Sequence, residues 1–189
     1  MPEGAPPTKI IRPRAAPVLN LANAVTVARI CAAPLAIWLV LDHSMAPAFG
    51  LFALAGLSDA LDGWLARRHG GSALGAMLDP LADKALLIGM FVALAAIGVL
   101  PGWLAILVVL RDGAILAGAA ALWLMGGLHR VRPMGLSKLN TALQIVLVGA
   151  ALLMESVDMR FPAVLTGLIV LVATSTLVSG AAYVVRTAR

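Results

Sequence analysis

Apolar residues run through this chain in blocks of about twenty, the length a helix needs to cross the hydrocarbon of a bilayer. Six such blocks fall at 20–41, 47–67, 74–98, 102–125, 135–154 and 161–185, separated by short polar or basic connections. None shows the alternation of a lipid-facing strand, so the pattern predicts an all-α integral membrane protein rather than a barrel. Gly and Ala are frequent inside the blocks, as close packing between membrane helices favours. Residues 18–189 read as one six-helix domain. Residues 1–17, rich in Pro and Ala and carrying Lys9, Arg12 and Arg14, read as a flexible or interfacial tail. A cleaved leader is the competing reading of that segment, but Asn20, Asn23 and Arg29 interrupt what would be its apolar core.

The basic residues orient the six segments. Arg67 and Arg68 follow the second, Arg130 and Arg132 join the fourth to the fifth, and Arg186 and Arg189 follow the sixth. With six crossings these all fall on the side of Lys9, Arg12 and Arg14. The opposite connections hold one Arg or Lys between them, Arg160. The positive-inside rule then puts both termini in the cytoplasm, with a bacterial-type inner membrane as the setting.

Composition sharpens this picture. The 189 residues are 61% hydrophobic and 12% charged, too little charge to cover a soluble domain of this size. The net charge of +5 is scattered among the apolar blocks without any nucleic-acid motif, so it points to anionic lipid headgroups and not to nucleic acid. A single cysteine, Cys31, excludes an internal disulfide and a thiolate metal site, and is expected as a small packing residue.

Candidate chemistry is concentrated in Ser58–Lys84. Asp59 and Asp62 are three apart near the end of the second block, and Asp79 and Asp83 four apart near the start of the third. At helical spacing each pair projects from one face. An antiparallel hairpin would bring both pairs together at the cytoplasmic surface. Four carboxylates there repel one another unless a positive charge sits among them. Hard divalent cations resolve that repulsion through oxygen ligands, and two such ions would clamp a diphosphate. The competing reading pairs the carboxylates with Arg67, Arg68 and Lys84 as ordinary helix-end charges.

The run Asp59-x-x-Asp62-Gly63-x-x-Ala66-Arg67, followed by Gly75-x-x-x-Asp79-x-x-x-Asp83, resembles the signature of the CDP-alcohol phosphatidyltransferases. The one departure is a connection between the two halves a residue shorter than is usual there. The resemblance implies a six-helix fold, a homodimer, and transfer of a phosphatidyl or related group from a CDP-linked donor with release of CMP. It also implies Mg²⁺ or Mn²⁺, two ions, held by Asp59, Asp62 and Asp79. Asp83 would face the same ions and act as general base on the acceptor hydroxyl. By the same resemblance Gly63 and Ala66 let the cytidine nucleotide approach, Arg67 contacts its phosphates, and Gly75 belongs to the donor site.

Two further polar groups need an explanation. Asn23, Thr26 and Arg29 form a stripe at helical spacing in the first block and resemble a pattern of the family's first helix; we read them as donor binding or support of the aspartates. Arg111 and Asp112 sit near the middle of the fourth block. Two readings stand for them: mutual neutralisation inside the bundle, or an acceptor-phosphate pocket that also uses Lys138, Arg130 and Arg132.

Phe52–Asp59, Ser72–Gly75, Arg111-Asp112 and Ser137–Gln144 are similar to the cardiolipin synthases of this family. That similarity implies CDP-diacylglycerol as donor and phosphatidylglycerol as acceptor, both drawn from membrane lipid. The neighbouring alternative is a phosphatidylglycerophosphate synthase with glycerol 3-phosphate as acceptor. From a different class, a divalent-cation transporter would also gather carboxylates in a bundle, but it gives Gly63, Ala66 and Arg67 no role.

Overall fold

The computed structural model describes the backbone of residues 21–69, 73–124, 135–159 and 161–187, and the side chains of residues 31–58, 84–115, 117–118, 135–159 and 161–182. The tail expected over 1–17 lies outside the described residues. The described chain forms α1 (Leu21–Leu41), α2 (Met45–His69), α3 (Ala73–Ala96), α4 (Gly102–Leu124), α5 (Gly135–Ser156) and α6 (Pro162–Thr187). Each coincides with one apolar block to within two residues at either end.

Three connections at one end of the bundle are closed by the same device. His43, Gly98 and Asp158 adopt positive φ of 59°, 79° and 51°. Just beyond them Ser44, Val99 and Met159 donate their N–H back to the carbonyls of Leu39, Leu94 and Met154. This is the Schellman arrangement, which satisfies carbonyls left over at a helix C-terminus and reverses the chain sharply. Pro162 then opens α6, where a missing N–H is harmless.

Packing contacts define a closed ring in the order α1, α2, α5, α6, α4, α3 and back to α1, with α3 also meeting α5 across the middle. The interior is divided along its length. Towards the Schellman end it is apolar, with Val40, Met90, Phe91, Leu94, Leu104, Val108, Leu147 and Leu152 fully buried. A Cβ placed on Gly89 would stand 2.5 Å from Cδ1 of Ile37, so the missing side chain lets α1 and α3 approach closely. Towards the other end the interior holds Arg111, Asp112, Asn140, Gln144, Thr176 and Ser179.

The outside of the bundle is as apolar as the inside. Leu54, Leu57, Ile106, Leu110, Val146, Val164, Val170, Leu171, Leu177 and Val178 are among its exposed side chains. α5 and residues Pro162–Ala182 of α6 are long and apolar enough to cross a membrane, and only 33% and 22% of their most apolar stretches are buried within the protein. A core helix of a soluble protein would hide most of that surface, so the exterior is built for contact with lipid. Trp38 and Trp103 are exposed beside the Schellman-closed connections, where an interfacial aromatic belt is expected. Cys31, expected to pack, is exposed on α1.

Candidate active site

The four aspartates occupy matching depths on consecutive helices. Asp59 lies ten residues before the end of α2 at His69, and Asp83 ten residues after the start of α3 at Ala73. Asp62 and Asp79 lie seven and six residues from those same ends. At 1.5 Å per residue the outer pair stands about 15 Å from the helix ends and the inner pair about 10 Å. Their side chains lie outside the described residues, as do those of Gly63, Ala66, Arg67 and Gly75 on the same two helices and of Asn23, Thr26 and Arg29 on α1. Arg130 and Arg132 fall wholly outside them.

Immediately after Asp83, the described side chains open on a polar network that spans four helices. Lys84 of α3 donates to Oδ2 of Asp112 of α4 at 2.5 Å. The other oxygen of Asp112 accepts from Nη1 of Arg111 at 2.6 Å. Nη2 of Arg111 donates to Oγ of Ser137 on α5 at 3.0 Å and to Oγ of Ser179 on α6. One helical turn away, Oδ1 of Asn140 accepts from the hydroxyls of Ser175 at 2.6 Å and Thr176 at 2.9 Å. Asp112 and Asn140 are fully buried, and Arg111 nearly so.

The network follows from helical spacing. Ser137, Asn140, Thr141 and Gln144 share one face of α5, and Ser175, Thr176 and Ser179 the facing side of α6, so the interhelical seam is hydroxyl and amide instead of leucine. A carboxylate fully out of water is strongly destabilised alone, and two cations on its two oxygens offset that desolvation. The balance of the triad is two positive charges to one negative. Among the described residues, Nε of Arg111, Nδ2 of Asn140 and both amide atoms of Gln144 are buried without a hydrogen-bond partner.

Arg111 and Asp112 pair with each other inside the bundle, and the pairing is compatible with both readings given above. Lys138, placed in the alternative pocket, is exposed on α5. Lys84, which the competing reading paired with the aspartates beside it, meets Asp112 on the next helix among the described residues. The partners on α6 were not evident in the sequence. Their signal was there in the spacing of Ser175, Thr176 and Ser179, but isolated hydroxyls in an apolar helix commonly bond to the backbone one turn back, as Thr174 does with Val170.

Beside the network, α2, α3 and α5 enclose a groove of about 460 Å³. Phe52, Leu86 and Leu87 form its inner wall, while Gly56, Leu57 and Ile145 at its rim are exposed on the apolar exterior. Lys84 and Thr141 supply its polar side chains.

The aspartate-bearing helix pair and the lipid-facing exterior describe a membrane-associated helical bundle, and comparison with known proteins gives its class. The family model for CDP-alcohol phosphatidyltransferase matches residues 19–186. The chain belongs to that family. It is 40% identical over 71% of its length to a CDP-diacylglycerol–glycerol-3-phosphate 3-phosphatidyltransferase from Oryza sativa, and 34% identical over 70% of its length to a cardiolipin synthase (CMP-forming) from Rattus norvegicus. It spans 46% and 50% of those two proteins, about half of each. A Mycobacterium tuberculosis protein named "Probable phosphatidylglycerophosphate synthase" is 32% identical over 91% of this chain and 83% of its own.

Proposed function

We propose that this protein is a cardiolipin synthase that transfers the phosphatidyl group of CDP-diacylglycerol to phosphatidylglycerol, giving cardiolipin and CMP. The observation that carries this reading is the groove between α2, α3 and α5. It is apolar, it opens on the lipid-facing exterior, and Lys84, its one charged lining residue among the described residues, follows Asp83 directly. A site that meets its acceptor through lipid suits a phospholipid better than a small water-soluble phosphate.

In this reading all six helices cross the bilayer, with both termini and the aspartates at the cytoplasmic face, as the basic residues direct. Asp59, Asp62, Asp79 and Asp83 supply only oxygen donors, a set that fits Mg²⁺ or Mn²⁺. When bound, such ions lower the negative charge around the donor diphosphate. Asp83 takes the proton from the terminal glycerol hydroxyl of the acceptor. The hydroxyl oxygen bonds to the phosphorus that carries diacylglycerol, the bond from that phosphorus to the bridging oxygen breaks, and CMP leaves with its electrons. Arg67, with Gly63, Ala66 and Gly75, binds the donor nucleotide, and Asn23, Thr26 and Arg29 support it from α1. The protein acts as a homodimer.

The similarity to the Oryza and Mycobacterium proteins favours a second reading, transfer to glycerol 3-phosphate. Lys138, Arg130 and Arg132, with Nε of Arg111, would then meet the acceptor's dianionic phosphate. The test is CMP release by purified protein given CDP-diacylglycerol and divalent metal, with each acceptor supplied separately. Release with phosphatidylglycerol and a cardiolipin product supports the first reading. Release only with glycerol 3-phosphate replaces it by the second. No release with either defeats both.

A further inference from the structure

We infer that a second cavity, at the Schellman end of the bundle, binds the head of an aminophospholipid, with its primary ammonium on Glu155 and its phosphate beside His43. This cavity lies at the opposite end of the helices from the aspartates, and the inference does not rest on the cardiolipin synthase reading. Its volume is about 440 Å³, within the range of small-ligand sites. All three Schellman-closed connections contribute to it: His43 between α1 and α2, Gly98 between α3 and α4, and Glu155 and Phe161 between α5 and α6. Met45 and Ala151 make a buried apolar floor, while His43, Gly98 and Phe161 stand exposed at the rim.

Place and charge together select the occupant. Trp38 and Trp103 are exposed at this end, so the rim lies at the level of lipid headgroups. The connections 42–44, 97–101 and 155–162 carry three acids, Asp42, Glu155 and Asp158, against one base, Arg160, beside His43. That balance disfavours an anionic lipid and favours a head that carries a cation. Glu155 is half-buried in the last turn of α5, a turn that has no basic residue. The free carbonyls of a helix C-terminus disfavour an acid there, and a bound ammonium offsets the cost.

The lining groups also choose between lipid heads. Among the described residues, the ion pairs are Lys84–Asp112 and Arg111–Asp112, so His43 and Glu155 line one cavity without pairing with each other. A primary ammonium donates hydrogen bonds to a carboxylate, whereas a trimethylated one has none to give. An imidazole N–H donates to the phosphate. The cavity takes the head alone, and the acyl chains stay on the apolar exterior beside Phe161 and Val164.

Native mass spectrometry of the full chain in detergent, with equal phosphatidylethanolamine and phosphatidylcholine, tests the site, since these heads differ only in the methyl groups on nitrogen. The wild type should retain phosphatidylethanolamine in preference. Glu155→Gln should reduce that preference by about fivefold or more, the worth of a charged hydrogen bond weakened by partial exposure. Asp158→Asn removes the same charge from the same end, outside the cavity lining, and should leave the preference intact. His43→Gly, whose backbone relaxes at positive φ, should stay folded and retain less of both lipids. A wild type without the preference, an unchanged preference in Glu155→Gln, or an equal loss in Asp158→Asn overturns the inference. Wild-type retention in His43→Gly overturns it too. Failure of CMP release defeats the transferase reading at the other end and leaves this outcome unaffected.

Discussion

Lys84 and Asp112, on neighbouring helices and 2.5 Å apart, tie the residue that follows Asp83 to a fully buried carboxylate on α4. The same carboxylate holds Arg111, so among the described residues removing it leaves two cations without a counter-ion. Asp112→Ala should lower stability by about 3–5 kcal/mol, the usual result of stranding buried charge. Lys84→Gln should have a clearly smaller effect, because Asp112 keeps Arg111. Thermal unfolding of both variants in detergent checks the order, and equal losses would mean the triad does not act as a unit.

Asp83→Asn keeps the size of the side chain and removes its capacity to take a proton. CMP release should fall by at least about 10²–10⁴-fold, the range for a lost general base, with CDP-diacylglycerol still bound. Near-normal turnover in this variant would remove Asp83 from the mechanism.

Metal dependence can be read without substitutions. Chelation should abolish CMP release, and Mg²⁺ or Mn²⁺ added back should restore it, because the four aspartates offer hard oxygen donors and little else. Turnover that persists under chelator would rule out the proposed ions.

Gly89 of α3 faces the side chain of Ile37 on α1 at close range. Gly89→Leu must displace Ile37 and should reduce stability by about 1–3 kcal/mol, as overpacking does. Gly89→Ala should do less, since the end of the Ile37 side chain is the nearest obstacle. Melting temperatures that do not separate the two would show that the helices part freely.

The Schellman connections give a change in the opposite direction. His43 and Asp158 hold positive φ with a side chain, and Gly98 without one. His43→Gly should raise stability by up to about 1 kcal/mol, and Gly98→Ala should lower it by about as much. A destabilised His43→Gly would show that its side chain, not its backbone, matters there.

The elements were legible in the sequence because each apolar block is bounded by turn residues or charge; Leu41 and Gly98 end their blocks where the chain reverses. The placement of the aspartate pairs on α2 and α3 was legible because their spacing is local, three and four residues within single helices. The Lys84–Asp112 bond joins residues 28 apart, and Arg111 to Ser179 spans 68. Such pairings depend on which helices become neighbours, and the ring order α1, α2, α5, α6, α4, α3 is not the order of the chain. The Asp112 partner of Lys84 was not legible for that reason, since it lies on the next helix. Ser175, Thr176 and Ser179 went unnoticed because their importance arises only once Asn140 and Arg111 face them.

That interleaved ring also constrains biogenesis. α4 is synthesised before α5 and α6, so Arg111 and Asp112 are made before Ser137 and Ser179 exist to receive the guanidinium. Among the described residues, Lys84 is the earlier-made group that meets Asp112, and with Arg111 it lets the carboxylate insert as a neutralised assembly. A nascent chain stopped after α4 would hold its charges together but leave the groove without the α5 wall formed by Thr141 and Ile145. The groove is therefore completed late, only once α5 is in place.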